Sequence, residues 1–223
     1  MDTLLFDLDN TLYSEETYVK SGFKAVAFYL NSKYGIDGDY LFSKMMTIFN
    51  EEGRGRVFNS LIDDLKLSED IFSLVYVYRY HIPHISLYDD AKEVLAILKN
   101  ECKLGLITDG RSFVQKRKVD ALNIEDYFDV IIFTDVLGEE FWKPSVKPYV
   151  LALNYLNSKA ENSCYIGDDP YKDFKAPNEL GMKTIQVKID DELDYWKKRG
   201  YDKIDADFQV DALGDIIKYL EEF

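Results

Sequence analysis

The sequence predicts an α/β protein, a three-layer structure with a doubly wound parallel sheet and an inserted α-helical domain. Short apolar runs recur along the chain, and segments with helical spacing or capping signals separate most of them. Strands and helices that alternate in this way are typical of a parallel sheet with helices on both faces. The segment 14–88 breaks the alternation because it contains helical runs and no convincing strand. We therefore expect a core domain, 1–13 and 89–223, and a helical cap domain, 14–88.

The individual elements follow from the same patterns. Apolar runs predict strands at Thr3–Leu8, Leu104–Thr108, Val130–Thr134, Cys164–Gly167, Thr184–Val187 and, from a weaker pattern, Phe208–Val210. The helices predicted in the core domain are Asp89–Asn100, Phe113–Leu122, Val146–Leu156, Tyr171–Leu180 and Ala212–Leu220. Four amphipathic runs predict a small bundle in the cap domain, with aromatic residues in its core: Tyr18–Asn31, Tyr40–Phe49, Val57–Leu65 and Glu69–Tyr80.

Composition and charge narrow the possible functions. The chain has 223 residues, 47% of them hydrophobic, which is enough for one sizeable core and a small accessory domain. It carries 41 acidic against 27 basic residues, so its net charge of −14 disfavours nucleic acid and anionic membranes as partners. Two cysteines in apolar surroundings, and first residues that run directly into a strand, predict a cytoplasmic protein with reduced thiols. No apolar run is long enough to cross a bilayer.

Two acidic residues end the first predicted strand, in the stretch FDLDNTLY. Asp7 and Asp9 stand one residue apart there, and open parallel sheets bind ligands beyond the carboxyl ends of their strands. Alternate side chains of a strand share a face, so both carboxylates are expected to flank one bound group. Further polar candidates at this edge come from LITDG, EEFWKPS and IGDDPYKD: Thr108, Asp109, Gly110, Lys143, Asp168, Asp169 and Asp173.

Such a cluster of acids requires compensation. Two like charges about 4 Å apart repel by roughly 4 kcal/mol at an effective dielectric constant near 20. Since a whole domain is stable by only about 5–15 kcal/mol, either some of the acids are protonated or a cation is bound. Carboxylates with open positions suit Mg²⁺, and the motifs contain no Cys or His that would favour zinc. A metal, a lysine, a threonine hydroxyl and the backbone N–H groups of a Thr-Asp-Gly turn are what a phosphoryl group needs around it.

Taken together and in this order, FDLDNT, ITDG, WKPS and IGDDPYKD resemble the haloacid dehalogenase superfamily, in its phosphatase branch with a small helical cap inserted after the first strand. The resemblance covers essentially the whole chain and implies a Rossmann-like core. It implies that Asp7 is the nucleophile and Asp9 the general acid and base. Thr108 and Lys143 would hold the phosphoryl group, and Asp168 would bind Mg²⁺ together with Asp7 and the backbone carbonyl of Asp9.

Two details of this correspondence stay open. Either Asp169 or Asp173 would be the further acid that steadies the metal. The family often has Asn where this chain has Asp109, so Asp109 and Gly110 either contribute to phosphoryl binding or form an ordinary turn.

The two acids at the first strand would divide the work. Asp7 would attack as a carboxylate and form an aspartyl phosphate. Asp9 would hold a proton for the leaving group, so we expect its pKa to lie above the usual 3.9 or so, raised by burial. By the resemblance, a second carboxylate at this place favours a phosphatase or a phosphomutase over a dehalogenase or an ion pump. The substrate is expected to be a small phosphate monoester, such as a sugar phosphate, a nucleotide, phosphoglycolate or a phospho-amino compound.

One loop of the cap domain adds candidates for contact with the substrate. In EEGRGRVF, two glycines alternate with Arg54 and Arg56, which predicts a mobile loop able to sense an anion. Solvated surface arginines are the alternative. For the whole chain, a catalytically inactive binding or scaffold protein and a phosphorylated receiver domain are alternatives from other functional classes.

Overall fold

The computed structural model describes residues 1–188 and 203–220. The chain divides into two compact units, a core unit of Met1–Ser14 with Ser86–Phe223 and a helical unit of Glu15–Ile85. The helical unit thus starts one residue later and ends three residues earlier than the predicted cap domain, 14–88.

The helical unit contains four helices, each overlapping a predicted one: α1 (Glu15–Tyr34), α2 (Gly38–Glu52), α3 (Val57–Leu65) and α4 (Ile71–Tyr80). Side chains of Asp37 and Asp70 cap α2 and α4 by accepting hydrogen bonds from backbone N–H groups of their first turns. Phe23 forms the centre of an aromatic core, where its ring meets those of Phe49, Phe58 and Tyr78. Aromatic residues at helical spacing therefore do form the core of this bundle.

The core unit is built on a parallel sheet, as the sequence predicts. Its described strands are β1 (Thr3–Phe6), β2 (Lys103–Thr108), β3 (Val130–Phe133), β4 (Ser163–Gly167), β5 (Lys183–Val187) and β6 (Phe208–Val210). They follow the order β3-β2-β1-β4-β5-β6, and every pairing is parallel. The strand order reverses direction at β1, so the crevice beyond β1 and its neighbours is the usual ligand position of such sheets.

The α-helices in the described part of the core unit are α5 (Ala91–Leu98), α6 (Ser112–Leu122), α7 (Lys147–Tyr155), α8 (Lys175–Leu180) and α9 (Ile216–Leu220). Side chains of α7 pack into a buried layer with strand residues such as Leu5, Ile107 and Tyr165. β1 is fully buried along its length and apolar after Thr3, as expected of a central strand in a covered parallel sheet. None of the helices in the described residues is long and apolar enough to cross a membrane.

The end of the first strand differs from the prediction. β1 ends at Phe6 rather than Leu8, because the carbonyl of Leu8 accepts hydrogen bonds from the N–H groups of Thr11 and Leu12 and so closes a turn. Asp9 consequently lies in a loop, and the expectation that it shares a strand face with Asp7 is wrong.

The fourth helix predicted in the core domain, Tyr171–Leu180, begins later, at Lys175. The side chain of Asp169 accepts a hydrogen bond from the N–H of Tyr171, and its carbonyl accepts one from the N–H of Asp173. These bonds hold 169–173 as a turn, which is typical of an Asp at such a position.

Candidate active site

The first site carboxylate lies directly after the central strand. Asp7 continues the ladder beyond β1, since its N–H donates to the carbonyl of Ile166 at 2.8 Å. Its side chain is 1% exposed, and Oδ1 accepts a hydrogen bond from Nζ of Lys143 at 2.6 Å. Oδ2 has no hydrogen-bond partner among the described residues, and the Lys172 ammonium lies 3.8 Å from it. One oxygen of Asp7 is therefore fixed and the other is available.

Lys143 links this carboxylate to a second one. Its ammonium, fully buried, lies 2.7 Å from Oδ1 of Asp173 and donates to the hydroxyl of Tyr165 at 3.0 Å. Burial alone would lower the pKa of Lys143, but the charges of Asp173 and Asp7 raise it well above its usual value. The lysine predicted at this position therefore lies inside the site as a permanent cation.

Asp173 belongs to an acidic triad with Asp7 and Asp168, in which one carboxylate oxygen from each lies within 4.8 Å of the others. Burial raises the pKa of Asp173, but the lysine charges and the bonds it accepts outweigh burial and lower it. Gly167 makes room for this residue, because a Cβ at that position would lie 2.7 Å from Oδ2 of Asp173. Of the two acids left open by the sequence, the structure brings Asp173 into the triad and leaves Asp169 beside it.

Negative charge is in excess around the triad. Two ammonium groups, of Lys143 and Lys172, face its three carboxylates, and Asp169 adds a fourth nearby. Burial, reinforced by Asp173 and the neighbouring acids, raises the pKa of Asp168 well above its usual value and also raises that of Asp169. Oδ1 of Asp168 and Oδ2 of Asp7 are buried and have no hydrogen-bond partner among the described residues. Carboxylate oxygens without partners around excess negative charge are the donor set of a hard divalent cation.

The end of β2 forms the opposite wall. Thr108 is completely buried, and Asp109 uses Oδ1 to accept hydrogen bonds from the Thr134 hydroxyl at 2.7 Å and from the N–H of Lys143 at 3.2 Å. Asp109 thus holds the loop that carries Lys143, which is a turn-like role, while its Oδ2 has no hydrogen-bond partner among the described residues. Gly110 has φ of +116°, a conformation that favours glycine.

Asp9 is surrounded by donors instead of acids. Nζ of Lys118 lies 2.7 Å from Oδ1 and 2.9 Å from Oδ2 of Asp9, and Nε2 of Gln115 donates to Oδ2 at 2.8 Å. The Tyr13 hydroxyl donates to Oδ1. Both oxygens of this carboxylate are therefore occupied by neighbours from the core unit.

These contacts overturn the expected pKa of Asp9. Burial does raise the pKa of this carboxyl, but the charge of Lys118 and hydrogen bonds from Lys118, Tyr13 and Gln115 outweigh it, and the pKa is lowered to about 2. Asp7 shows the reverse, because burial outweighs its lysines and raises its pKa to about 6. The expectation of a raised pKa at Asp9 is wrong because it did not include the contacts with Lys118, Tyr13 and Gln115.

Comparison with known proteins identifies the family. The sequence model of the haloacid dehalogenase-like hydrolase family matches residues 4–187 of this chain. This chain belongs to the haloacid dehalogenase-like hydrolase family. Glyceraldehyde 3-phosphate phosphatase of Methanocaldococcus jannaschii is 32% identical over 197 residues, which cover 82% of this chain and 83% of that protein. Ribulose-1,5-bisphosphate 5-phosphatase of Halopiger xanaduensis is 27% identical, with 96% of each chain covered.

A solved structure has the same fold as this haloacid dehalogenase-like hydrolase. The HAD phosphatase from Thermococcus onnurineus superposes with a TM-score of 0.63 at 24% identity, and the match covers 99% of this chain and 98% of that one. The family inferred from the four sequence motifs and the α/β fold predicted from alternating strands and helices are therefore confirmed.

Sequence reasoning missed five residues at the site of this haloacid dehalogenase-like hydrolase: Tyr13, Gln115, Lys118, Tyr165 and Lys172. One signal was present on α6. Its buried side chains are Gln115, Lys118, Val119 and Leu122, so two long polar residues occupy the stripe that faces the interior. A lysine and a glutamine on a buried stripe need buried partners, and Asp9 is that partner.

The two arginines predicted to contact the substrate lie in the helical unit. Arg54 donates two parallel hydrogen bonds, at 2.6 and 2.7 Å, to the carboxylate of Glu15 in the first turn of α1. Arg56 is exposed and precedes α3. The terminal nitrogens of Arg54 are thus bound within the helical unit, and contact of either arginine with a substrate stays a prediction.

Proposed function

We propose that this protein is a Mg²⁺-dependent phosphatase that hydrolyses a small-molecule phosphate monoester through an aspartyl phosphate on Asp7. The observation that carries the proposal is the state of the Asp7 carboxylate. One oxygen is held by Lys143, and the other is buried without a hydrogen-bond partner beside the acidic triad. Relatives named as phosphatases of small phosphorylated compounds support the same reaction class.

The residues present fit Mg²⁺. Asp7, Asp168 and Asp173 offer oxygen ligands, two of them have buried oxygens without partners, and the surrounding charge is negative in excess. These three carboxylates would hold the ion, with the backbone carbonyl of Asp9 as the resemblance implies. When bound, Mg²⁺ would neutralise charge on the phosphoryl oxygens and help to orient them.

The remaining chemistry belongs to side chains of this chain. The Asp7 carboxylate attacks phosphorus, the bond between phosphorus and the ester oxygen breaks, and the departing alkoxide takes a proton from Asp9. The Lys143 ammonium and the Thr108 hydroxyl hold phosphoryl oxygens during the transfer. Asp9 then removes a proton from water, and the water oxygen attacks the aspartyl phosphate, which releases inorganic phosphate and restores Asp7.

The contacts of Asp9 place one condition on this sequence. With its pKa lowered to about 2, Asp9 is an ionised carboxylate, which is the form needed in the hydrolytic half of the reaction. To serve as the acid in the first half, Asp9 has to take up a proton on one oxygen, while Lys118 keeps its contact with the other.

The test is a phosphate-release assay with purified protein and Mg²⁺. The panel contains p-nitrophenyl phosphate, glyceraldehyde 3-phosphate and ribulose 1,5-bisphosphate, and further sugar phosphates, nucleotides and phosphoglycolate. We expect metal-dependent release of inorganic phosphate that a chelator abolishes, with one compound class preferred in kcat/KM. Conversion of an ester to its isomer without release of phosphate would indicate a phosphomutase instead. No turnover of any ester would contradict the proposal and favour a binding protein.

A further inference from the structure

Asp9 is held by a built set of contacts on α6. Lys118 is 3% exposed and Gln115, one turn earlier, is 2% exposed, and both reach the same carboxylate. Lys116, between them on the exposed side of the helix, makes ordinary surface ion pairs with Asp120 and Glu125. Burying an ammonium group is unfavourable unless it is fully paired, so Lys118 differs from Lys116 in needing Asp9.

The loop that carries Asp9 has other supports. The N–H of Asn10 donates to the carbonyl of Tyr13 at 2.9 Å, and Leu12 donates to Leu8 at 3.0 Å. Helix α6 in turn buries Val119 and Leu122. The backbone of the loop and the position of the helix are thus supported independently of Lys118, which acts on the direction of one carboxylate.

Gln115 connects Asp9 with Thr108. Its Nε2 lies 2.8 Å from Oδ2 of Asp9 and 2.5 Å from Oγ1 of Thr108. A carboxylate only accepts hydrogen bonds, so the amide nitrogen of Gln115 must face it. The Thr108 hydroxyl accepts from the same nitrogen and therefore keeps its own hydrogen for another acceptor. One amide fixes both the acid and the hydroxyl relative to each other.

We propose that Lys118, assisted by Gln115, is a positioning residue that aims the Asp9 carboxylate at the oxygen atoms of the reaction. The inference rests on the proposed phosphatase function and adds two residues of α6 to its machinery. Lys118 contacts both oxygens of Asp9, so its loss leaves the carboxylate, among the described residues, with Tyr13 and Gln115 and allows it to turn. Proton transfer, which needs a donor within hydrogen-bond reach, then becomes slow.

The experiment compares an alkyl phosphate, whose leaving oxygen needs a proton, with p-nitrophenyl phosphate, whose leaving group departs without one. In Lys118→Met we expect kcat/KM for the alkyl ester to fall by about a hundredfold, the scale of general acid catalysis. We expect kcat/KM for p-nitrophenyl phosphate to change by less than about threefold, because this parameter ends at the transfer to Asp7. For p-nitrophenyl phosphate, kcat and KM should fall together, since hydrolysis of the aspartyl phosphate still needs Asp9 as a base.

Matched variants separate positioning from folding. Lys116→Met removes a lysine from the exposed side of the same helix and should behave as wild type. Lys118→Arg should restore part of the alkyl-ester activity, and Gln115→Leu should show the leaving-group pattern more weakly. These two variants carry the test if Lys118→Met does not fold, as judged by circular dichroism and thermal unfolding. The double variant Asp9→Asn/Lys118→Met should be no slower than Asp9→Asn, because Lys118 acts through Asp9.

The outcomes distinguish the inference from the function on which it rests. A wild-type protein without phosphatase activity, or Asp9→Asn without leaving-group dependence, would overturn both. Leaving-group dependence in Asp9→Asn combined with equal losses on both esters in the α6 variants would overturn the positioning role alone. An additive loss in the double variant would likewise show that Lys118 acts elsewhere.

Discussion

Asp7 is buried and Asp9, one residue further along, keeps 13% of its side chain exposed, and their pKa values shift in opposite directions. On the β4 side, Asp7 shares a lysine with Asp173 and faces Asp168, and burial raises its pKa to about 6. On the α6 side, Asp9 receives donors on both oxygens, and its pKa is lowered to about 2. Burial pushes both pKa values upward, so the difference comes from the partners.

The comparison shows which carboxylates of the site are fully paired by side chains of this protein. The α6 side is electrically satisfied by Lys118, Gln115 and Tyr13. The triad side keeps unpartnered carboxylate oxygens and excess negative charge, which is the condition that a divalent cation relieves. The predictions below act on this contrast, and they run from the largest expected effect to the smallest.

The largest effect is expected at the proposed nucleophile. Asp7→Asn should reduce kcat by well over about a hundredfold, because no carboxylate remains to accept the phosphoryl group. Steady-state kinetics with p-nitrophenyl phosphate and Mg²⁺ measure this, with Asp211→Asn, an exposed aspartate of the core unit, as the matched control. Retention of more than about a hundredth of the wild-type kcat would exclude covalent catalysis by Asp7.

The same variant tests the electrostatic contrast through stability. In metal-free protein the native state binds the Asp7 proton more tightly than the unfolded state, since its pKa is about 6 against an ordinary 3.8. The free energy of unfolding of the wild-type protein should therefore fall as pH rises from about 4 to about 6. Asp7→Asn should not show this fall, and above about pH 6 it should be more stable than the wild-type protein by about 2–3 kcal/mol.

Asp9→Asn should change the free energy of unfolding in the opposite direction. The lowered pKa of Asp9 contributes stability above its unfolded value, which is lost as pH falls toward about 2, so the variant should be destabilised at neutral pH. Urea unfolding of chelator-treated proteins from pH 4 to 7.5 compares the two. Shifts of equal sign in both variants would contradict the contrast.

The second prediction concerns Lys143, whose ammonium group lies between the carboxylates of Asp7 and Asp173. Lys143→Met should reduce kcat/KM by about a hundredfold or more, the scale of one preorganised electrostatic contact. Lys143→Arg should restore little, because a planar guanidinium cannot reproduce a point charge between Asp7 and Asp173. Lys175→Met, at an exposed position, is the control. Near-normal kinetics in both Lys143 variants would remove this lysine from the site.

The third prediction tests the metal by thermal unfolding rather than activity. Mg²⁺ should raise the Tm of the wild-type protein, as any ligand selective for the native state does. Asp168→Asn should abolish this rise, whereas Asp169→Asn should keep most of it, because the triad contains Asp168 and not Asp169. Loss of the response in Asp169→Asn alone would place the ion on the other side of the turn.

The sequence was informative where chain order alone determines proximity. All strands of a parallel sheet place their carboxyl ends at one edge, so the acids after β1 and β4 could be expected near Lys143. The partners of Asp9 could not be expected in this way, because Gln115 and Lys118 follow it by 106 and 109 residues on a helix face. Hydrophobic periodicity identifies the apolar residues on the buried face of α6, and it does not identify Gln115 and Lys118 on the same face.

Local hydrogen bonds account for the other differences. The late start of α8 follows from the side-chain bond of Asp169 to Tyr171, and the early end of β1 follows from the turn at Leu8. At Asp169 a side chain takes the backbone N–H of Tyr171, and at Leu8 a backbone carbonyl closes the turn, and hydrophobic periodicity indicates neither bond.

The last prediction extends the contrast between satisfied and available groups to the helical unit. Arg54 resembles Asp9, since a buried carboxylate, Glu15, already occupies its terminal nitrogens, whereas Arg56 is exposed. Arg54→Ala should lower the Tm, because it leaves Glu15 without its bidentate partner, a loss of about 1–3 kcal/mol. Arg56→Ala should leave the Tm unchanged and raise KM for the preferred ester about tenfold, near 1.4 kcal/mol, without affecting p-nitrophenyl phosphate. Glu15→Gln keeps the shape of the pair and isolates its charge. An unchanged KM in Arg56→Ala would leave this arginine to the solvent, and a KM effect in Arg54→Ala at unchanged Tm would show that the pair opens to bind substrate.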